Sequence, residues 1–333
     1  MTGRWIFKLA AIALTLAGLC MPVAASGSPA QNPPETQGSL FKDLPLTHWA
    51  HADVMRLLDA GVVAVDPTGR FRPSEPISRS ELLKMVLVAR KMDPGTACPG
   101  TFADVPCSAW FAPYVETAYR MAITDGQSAT HFDPYAAVTR QELFTIIVRA
   151  LGRRWEAANI GWTEVSSRLN AFTDKGAIAD WARPALALAV SESIAAGYAD
   201  GAFRPRAYTT RAEAAAAISR ILLPADHAAV AQVDGRNVAF AQAMNLKATA
   251  YATGEPGVGT VTYTGVIVRP GTVAVDPRVI PLGSLLYVEG YGYSVAADIG
   301  GAIKGERIDL FTHDFEEALY GFGVQQRRVW VLP

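Results

Sequence analysis

Along the first two-thirds of the chain, apolar residues come in short bursts at helical spacing. Val54, Leu57, Leu58 and Val62 mark one helix, and Gly61 interrupts or ends it. The loop VDPTGRFRP follows, rich in turn residues, and then the amphipathic run LLKMVLVAR predicts a second helix. The same order returns around TRQELFTIIVRA and TRAEAAAAISRI. From Lys247 the pattern changes. KATAYA, YTGVIV, TVAVDP, SLLYVEG, YSVAAD, RIDLF and RRVWVL are short β-branched or aromatic runs separated by glycine and proline. They predict a small all-β domain of about seven strands, most naturally a closed barrel. Residues 224–245, rich in alanine, predict a linker or a short helix.

The helical bursts align as repeats. Phe41-x-Asp43, Trp49, Phe71-x-Pro73 and Ser78-Arg79-x-Glu81 form the first set. Phe102-x-Asp104, Trp110, Phe132-x-Pro134 and Thr139-Arg140-x-Glu142 form the second, and Phe172-x-Asp174, Trp181, Phe203-x-Pro205 and Thr210-Arg211-x-Glu213 the third. From the proline to the arginine the offset is six in every set. Ser or Thr followed three residues later by Glu is a capping box, which opens the second helix of each unit. The arginine between them works against the helix dipole, so a capping box does not explain it. Two readings stand for Arg79, Arg140 and Arg211: a guanidinium beside free helix amides that receives an anionic ligand, or a partner for a carboxylate of the neighbouring unit.

The compartment follows from the start of the chain. Arg4 and Lys8 precede the apolar run Leu9–Leu19, and Val23-Ala24-Ala25 offers small residues to a signal peptidase. Residues 1–25 therefore read as a secretory signal, too short to span a bilayer comfortably. Cys20 leaves a lipoprotein as the alternative. Residues 26–40 are polar and proline-rich, a flexible leader. In an oxidising exterior Cys98 and Cys107 are candidates for a local disulfide, with two free thiols as the alternative. The formal net charge of −1, without a dense basic block, gives no sign of a nucleic-acid partner. Five scattered histidines give no metal-ligand spacing, and no cofactor is expected.

The repeated F-x-D, Trp, F-x-P and [ST]-R-x-E pattern resembles the surface-layer homology (SLH) family over about residues 41–223. The resemblance implies an all-α, trefoil-like unit of three repeats, at 41–93, 102–152 and 172–223. It also implies binding to a secondary wall polymer, with Arg79, Arg140 and Arg211 as anion contacts. Trp49, Trp110 and Trp181 would line the grooves or, alternatively, sit in an aromatic core.

Beyond a linker at 224–246, residues 247–333 resemble the three-aspartate (3D) domain, a double-psi β-barrel. VAVDPRVIPLGS, GYGYSVAADIGGAIKG and RIDLF carry that resemblance. The family includes the catalytic barrel of a lytic murein transglycosylase. It implies Asp309 as the essential acid, with Asp298 and Asp276 in supporting positions. From the residues alone, Asp276 before Pro277 and Asp298 before Ile299-Gly300-Gly301 also suit turns, whereas aspartate inside the RIDLF strand is disfavoured unless it has a task. Gly300, Gly301 and Lys304 form the turn expected to meet substrate, Lys304 either steering carboxylates or standing in solvent. The expectation is thus a secreted, wall-anchored enzyme that cuts peptidoglycan glycan strands. A non-catalytic, expansin-like wall binder is the alternative.

Overall fold

In the computed structural model, residues 39–333 are described, except 97, 224–227, 256, 257 and the side chain of residue 317. The signal 1–25, most of the leader and part of the linker lie outside the described residues. Each repeat builds the expected helix pair: α1 (His51–Asp59) with α2 (Arg79–Ala89), and α3 (Ala112–Arg120) with α4 (Arg140–Ala150). Two short helices, α5 (Arg154–Ala158) and α6 (Trp162–Leu169), precede the third pair, α7 (Arg183–Ser191) and α8 (Arg211–Ile221). The capping boxes form, with Glu81, Glu142 and Glu213 each accepting the backbone N–H of its own Ser or Thr.

The geometry repeated in the three loops explains F-x-D. Asp43 accepts the N–H groups of Phe71 and Arg72 at 2.8 and 2.9 Å. Asp104 does the same for Phe132 and Asp133, and Asp174 for Phe203 and Arg204. The middle residue of each F-x-P is held left-handed, with φ of 59°, 61° and 58° at Arg72, Asp133 and Arg204. A carboxylate that satisfies two amides holds that strained bend in place. The paired phenylalanines meet beneath it, ring centroids 5.2–5.6 Å apart.

The repeats close on themselves. Ile77 N–H donates to Thr209 O, Thr209 N–H to Val138 O, and Val138 N–H to Ile77 O, at 2.8–3.0 Å. This three-bond ring joins the first repeat to the third as directly as to the second.

The alanine-rich segment expected as a linker or a short helix instead holds an antiparallel hairpin, β1 (Ala229–Val233) and β2 (Arg236–Phe240). The barrel follows: β3 (Gln242–Ala252), β4 (Thr272–Val275), β5 (Leu285–Val288), β6 (Gly292–Asp298), β7 (Arg307–Thr312) and β8 (Gln325–Val331). These six strands close in the order β3-β7-β4-β6-β5-β8. YTGVIV, expected as a seventh strand, is a loop, because Gly265 turns the chain at φ 77° and Thr262 caps that turn by bonding Val266. Ala248, Val273, Val275, Leu286, Ala296, Ile308, Leu310 and Val329 fill the barrel interior.

The barrel is docked, not loosely tethered. Tyr287, Tyr293, Val295 and Trp330 on its outer face join the hydrophobic core of the repeats. Burying each such side chain is worth about 2–3 kcal/mol. Arg120 donates to Tyr293 O and Tyr291 O at 2.7 and 2.6 Å, with its guanidinium 4.5 Å from the Tyr291 ring. Gly152 and Gly283 let the backbones touch, and a Cβ on Gly283 would stand 2.7 Å from Gly152 O. Asp125 takes Arg149 from α4, Arg154 from α5 and Arg269 from the barrel at 2.9, 3.7 and 3.3 Å. Burial, with Arg149 beside it, lowers Arg154 to about 10.

Candidate active site

Strand β7 runs between β3 and β4, which sets the surroundings of Asp309. Thr249 of β3 and Ala274 of β4 pair with it across the sheet, and Ala274 in turn pairs with Asp298 of β6. Ile308 and Leu310 point into the barrel and are fully buried, so Asp309 occupies the other face, partly buried. Between the two carboxylates the row holds only the methyl group of Ala274. Thr249 Oγ1 donates to Asp309 Oδ1 at 2.7 Å. Burial raises the Asp309 pKa, the Thr249 hydroxyl opposes the rise, and the negative charges of Glu255 and Asp298 add to it.

Glu255 is absent from the sequence reading. It lies three residues past the end of β3, where its Oε1 accepts Ala252 N–H at 2.8 Å. The only signal was an acidic residue in a turn, which nothing local distinguishes from a solvated one.

The other aspartates behave differently. Asp298 Oδ1 accepts the N–H groups of Tyr263 and Ile299, both at 2.9 Å, and so holds the 260s loop against the end of β6. Asp276 is one residue past β4 and buried. It receives Arg278 Nη2 at 2.6 Å and the Gly305 amide at 2.7 Å. The Arg278 guanidinium, then the Gly305 and Arg278 amides, hold its carboxyl well below the usual carboxylate range. Such a group stays ionised and cannot donate a proton near neutral pH. Its work is to pin the 299–306 loop, which carries Lys304. That lysine is exposed and has no ion-pair partner among the described residues. Gly300 sits so close to Ile303 that a Cβ would stand 2.5 Å from Ile303 Cγ1, whereas Gly301 faces open space.

In the repeats, the expectation of free helix amides beside the arginines is overturned. Arg79 N–H and Ser80 N–H donate to Ala136 O and Pro134 O; Arg140 and Gln141 donate to Ala207 and Pro205; Arg211 and Ala212 donate to Glu75 and Pro73. The neighbouring unit consumes these donors because the ring packs each helix start against the next loop. The arginines follow suit in two cases. Arg79 donates to Phe132 O and Asp125 O and pairs with Glu142 at 3.5 Å. Arg211 donates to Phe71 O and pairs with Glu81 at 2.6 Å. Arg140 differs: it donates to Ala196 O, lies about 5 Å from the Phe144, Tyr198 and Phe203 rings, and meets no carboxylate among the described residues. Tyr198 has taken the place of such a pair by donating to Glu213 at 3.0 Å.

The tryptophans are not core residues. Trp49, Trp110 and Trp181 are 56, 52 and 53% exposed. Trp181 lines a cleft of about 290 Å³ together with Arg79, Asp125, Gln127, Glu142 and Arg149. Lys84 lies 5.7 Å from the Trp110 ring. Cys98 and Cys107 are joined as a disulfide, Cα atoms 5.6 Å apart. Among the described residues no helix is long and apolar enough to cross a membrane, and no group of three or more His, Cys, Asp or Glu side chains is placed to hold a metal ion.

Comparison with known proteins agrees with this division. The S-layer homology domain family matches residues 40–83, 101–144 and 171–215, and the 3D domain family matches 271–333. The cell wall-binding protein YocH of Bacillus subtilis (strain 168) is 43% identical over 105 residues, 30% of this chain and 36% of that protein. The surface-layer 125 kDa protein of Lysinibacillus sphaericus is 29% identical over 247 residues, 73% of this chain and 19% of that one. The chain thus spans little more than a third, or less, of these relatives' lengths. Among solved structures, E. coli MltA with bound chitohexaose is similar over 24% of this chain and 29% of its own, at 28% identity and a TM-score of 0.19. The chain carries three S-layer homology repeats followed by a C-terminal 3D domain.

Proposed function

We propose that this protein is a secreted, wall-associated lytic transglycosylase that cuts the β-1,4 bond between N-acetylmuramic acid and N-acetylglucosamine. The observation that carries the reading is Asp309, a mid-strand carboxylate with a raised pKa beside an acceptor-poor methyl group. A protonated Asp309 delivers its hydrogen to the glycosidic oxygen as the bond from that oxygen to the muramyl C1 breaks. The 6-hydroxyl of the same muramyl unit then attacks C1 and returns its proton to Asp309, closing a 1,6-anhydro ring without water. Thr249 orients the carboxyl through Oδ1, which leaves Oδ2 for the proton. Asp276 serves as a loop anchor, and Asp298 raises the acid while holding the 260s loop. Lys304, Gly300 and Gly301 form the groove wall next to that anchor.

The repeats hold the envelope polymer. The cleft beside Trp181 and the arginine left without a carboxylate, Arg140, are the contacts best suited to an anionic glycan.

A second reading is favoured by the description of YocH as cell wall-binding: the barrel grips glycan without cutting it. Mass spectrometry of purified peptidoglycan after incubation separates these. Anhydromuropeptides support the transglycosylase. New reducing ends would mean a hydrolase that uses a second carboxylate such as Glu255. The absence of soluble fragments would leave a binder and overturn the enzymatic reading.

A further inference from the structure

A cleft of about 710 Å³ lies between the second repeat and the barrel, and Asp309 is not among its lining residues. One wall is the end of α3, with Tyr119 and Arg120. The other is the β1–β2 turn with Arg236, the β5–β6 turn, and Arg269. Its size is that of a small-ligand site. Three arginines line it against two carboxylates, Glu116 and Asp234. Arg120 and Arg236 have no carboxylate within ion-pair distance among the described residues. Burial, with a smaller push from Arg236, moves the Arg120 pKa down. Arg269 is 4% exposed, its Nε has no hydrogen-bond partner, and its carboxylate, Asp125, is shared with two other arginines.

The acceptors of this cleft are already placed. Glu116 receives Thr101 N–H and Oγ1–H at 2.8 and 2.6 Å, and Asp234 receives Tyr287 O–H and Gly290 N–H, both at 2.9 Å. Fixed in this way, each carboxylate keeps lone pairs for incoming hydroxyls. Partly buried guanidiniums without an ion-pair partner are costly in the empty protein, and an entering anion removes that cost. Donors for an anion beside rigid acceptors for hydroxyls make a pattern that suits an acidic sugar better than a bare anion or an acyl chain.

We propose that this cleft binds a small acidic sugar, a carboxylate- or phosphate-bearing pyranose, which would bridge the second repeat and the barrel. The site stands whether or not the barrel cuts glycan. Isothermal titration of the full chain with N-acetylmuramic acid, N-acetylglucosamine 6-phosphate and neutral N-acetylglucosamine tests it and distinguishes the two anions. One or both acidic sugars should bind at least about tenfold more tightly than the neutral one, the effect of a charge-assisted hydrogen bond. Arg236→Gln should remove that advantage without lowering the melting temperature. Arg236→Lys should retain much of it. Equal affinity for neutral and acidic sugars, no binding of either acidic sugar, or full affinity in Arg236→Gln would overturn the proposal.

Discussion

Replacing Asp309 by Asn preserves shape and the acceptor for Thr249 but removes both the proton and the charge. The two readouts should then move in opposite directions. Asp309 and Asp298 both pair with Ala274, so their strands are two steps apart, about 10 Å. Two charges at that distance repel by roughly 0.4 kcal/mol in water and about 1.7 kcal/mol at an effective dielectric constant of 20. Removing the charge should therefore stabilise the fold by about 1 kcal/mol at pH 7, with a rise in melting temperature of about 2–4 °C. The gain has a direction in pH. Because the folded pKa lies above the unfolded one, the wild type loses no stability to this group below the unfolded value, near 3.8. It loses stability as pH rises from there through the folded pKa, and the variant does not. Denaturant titrations of both proteins from pH 3 to 8 should converge in acid and separate towards neutrality. Release of soluble fragments from peptidoglycan should meanwhile fall by about 10²–10⁴-fold, the usual share of a general acid. An Asn variant that releases fragments at the wild-type rate refutes the assignment. One whose stability difference is the same at pH 3 and pH 8 refutes the electrostatic argument.

Glu255→Gln removes a neighbouring negative charge, so the Asp309 pKa should fall and the alkaline limb of the pH–activity profile should move to lower pH; a fixed limb would disconnect the two groups. Asp174→Ala leaves the Phe203 and Arg204 amides without their acceptor at a strained bend, and should cost about 2–4 kcal/mol in urea unfolding. Gly283→Ala forces a methyl group to within 2.7 Å of Gly152 O at a φ of 90°. It should loosen the barrel from the repeats, read as faster limited proteolysis, and cost about 1–3 kcal/mol.

Motifs whose partners are close in sequence, or repeated at fixed offsets, were legible. The capping boxes, the helix pairs and the isolation of Asp309 between Ile308 and Leu310 all follow from local periodicity. What stayed hidden depended on the next repeat. Nothing near Arg79 or Arg211 says that Glu142 or Glu81 will face it, since those contacts exist only once the ring closes. The exposure of Trp49, Trp110 and Trp181 was hidden for a related reason, because each precedes its helix and periodicity assigns it no face. The β1–β2 hairpin was readable and was missed. Asp234-Gly235 is a two-residue turn signal between alternating runs, and both residues take positive φ, 49° and 75°. Alanine-rich composition outweighed that signal. Asp276 matched a family position, yet its role came from Arg278 and Gly305, one of them 29 residues away.

The three-bond circle through Ile77, Val138 and Thr209 sets the copy number. An open stack of repeats can grow or shrink by one unit and keep its neighbour contacts. Here each unit donates its hydrogen bond to the one before it and the first donates to the last, so a fourth copy would find no vacancy and a missing one would leave two loose ends. During synthesis the Ile77 amide has no acceptor in this ring until the third unit emerges, so the circle closes only when the chain is long enough to bite its own tail.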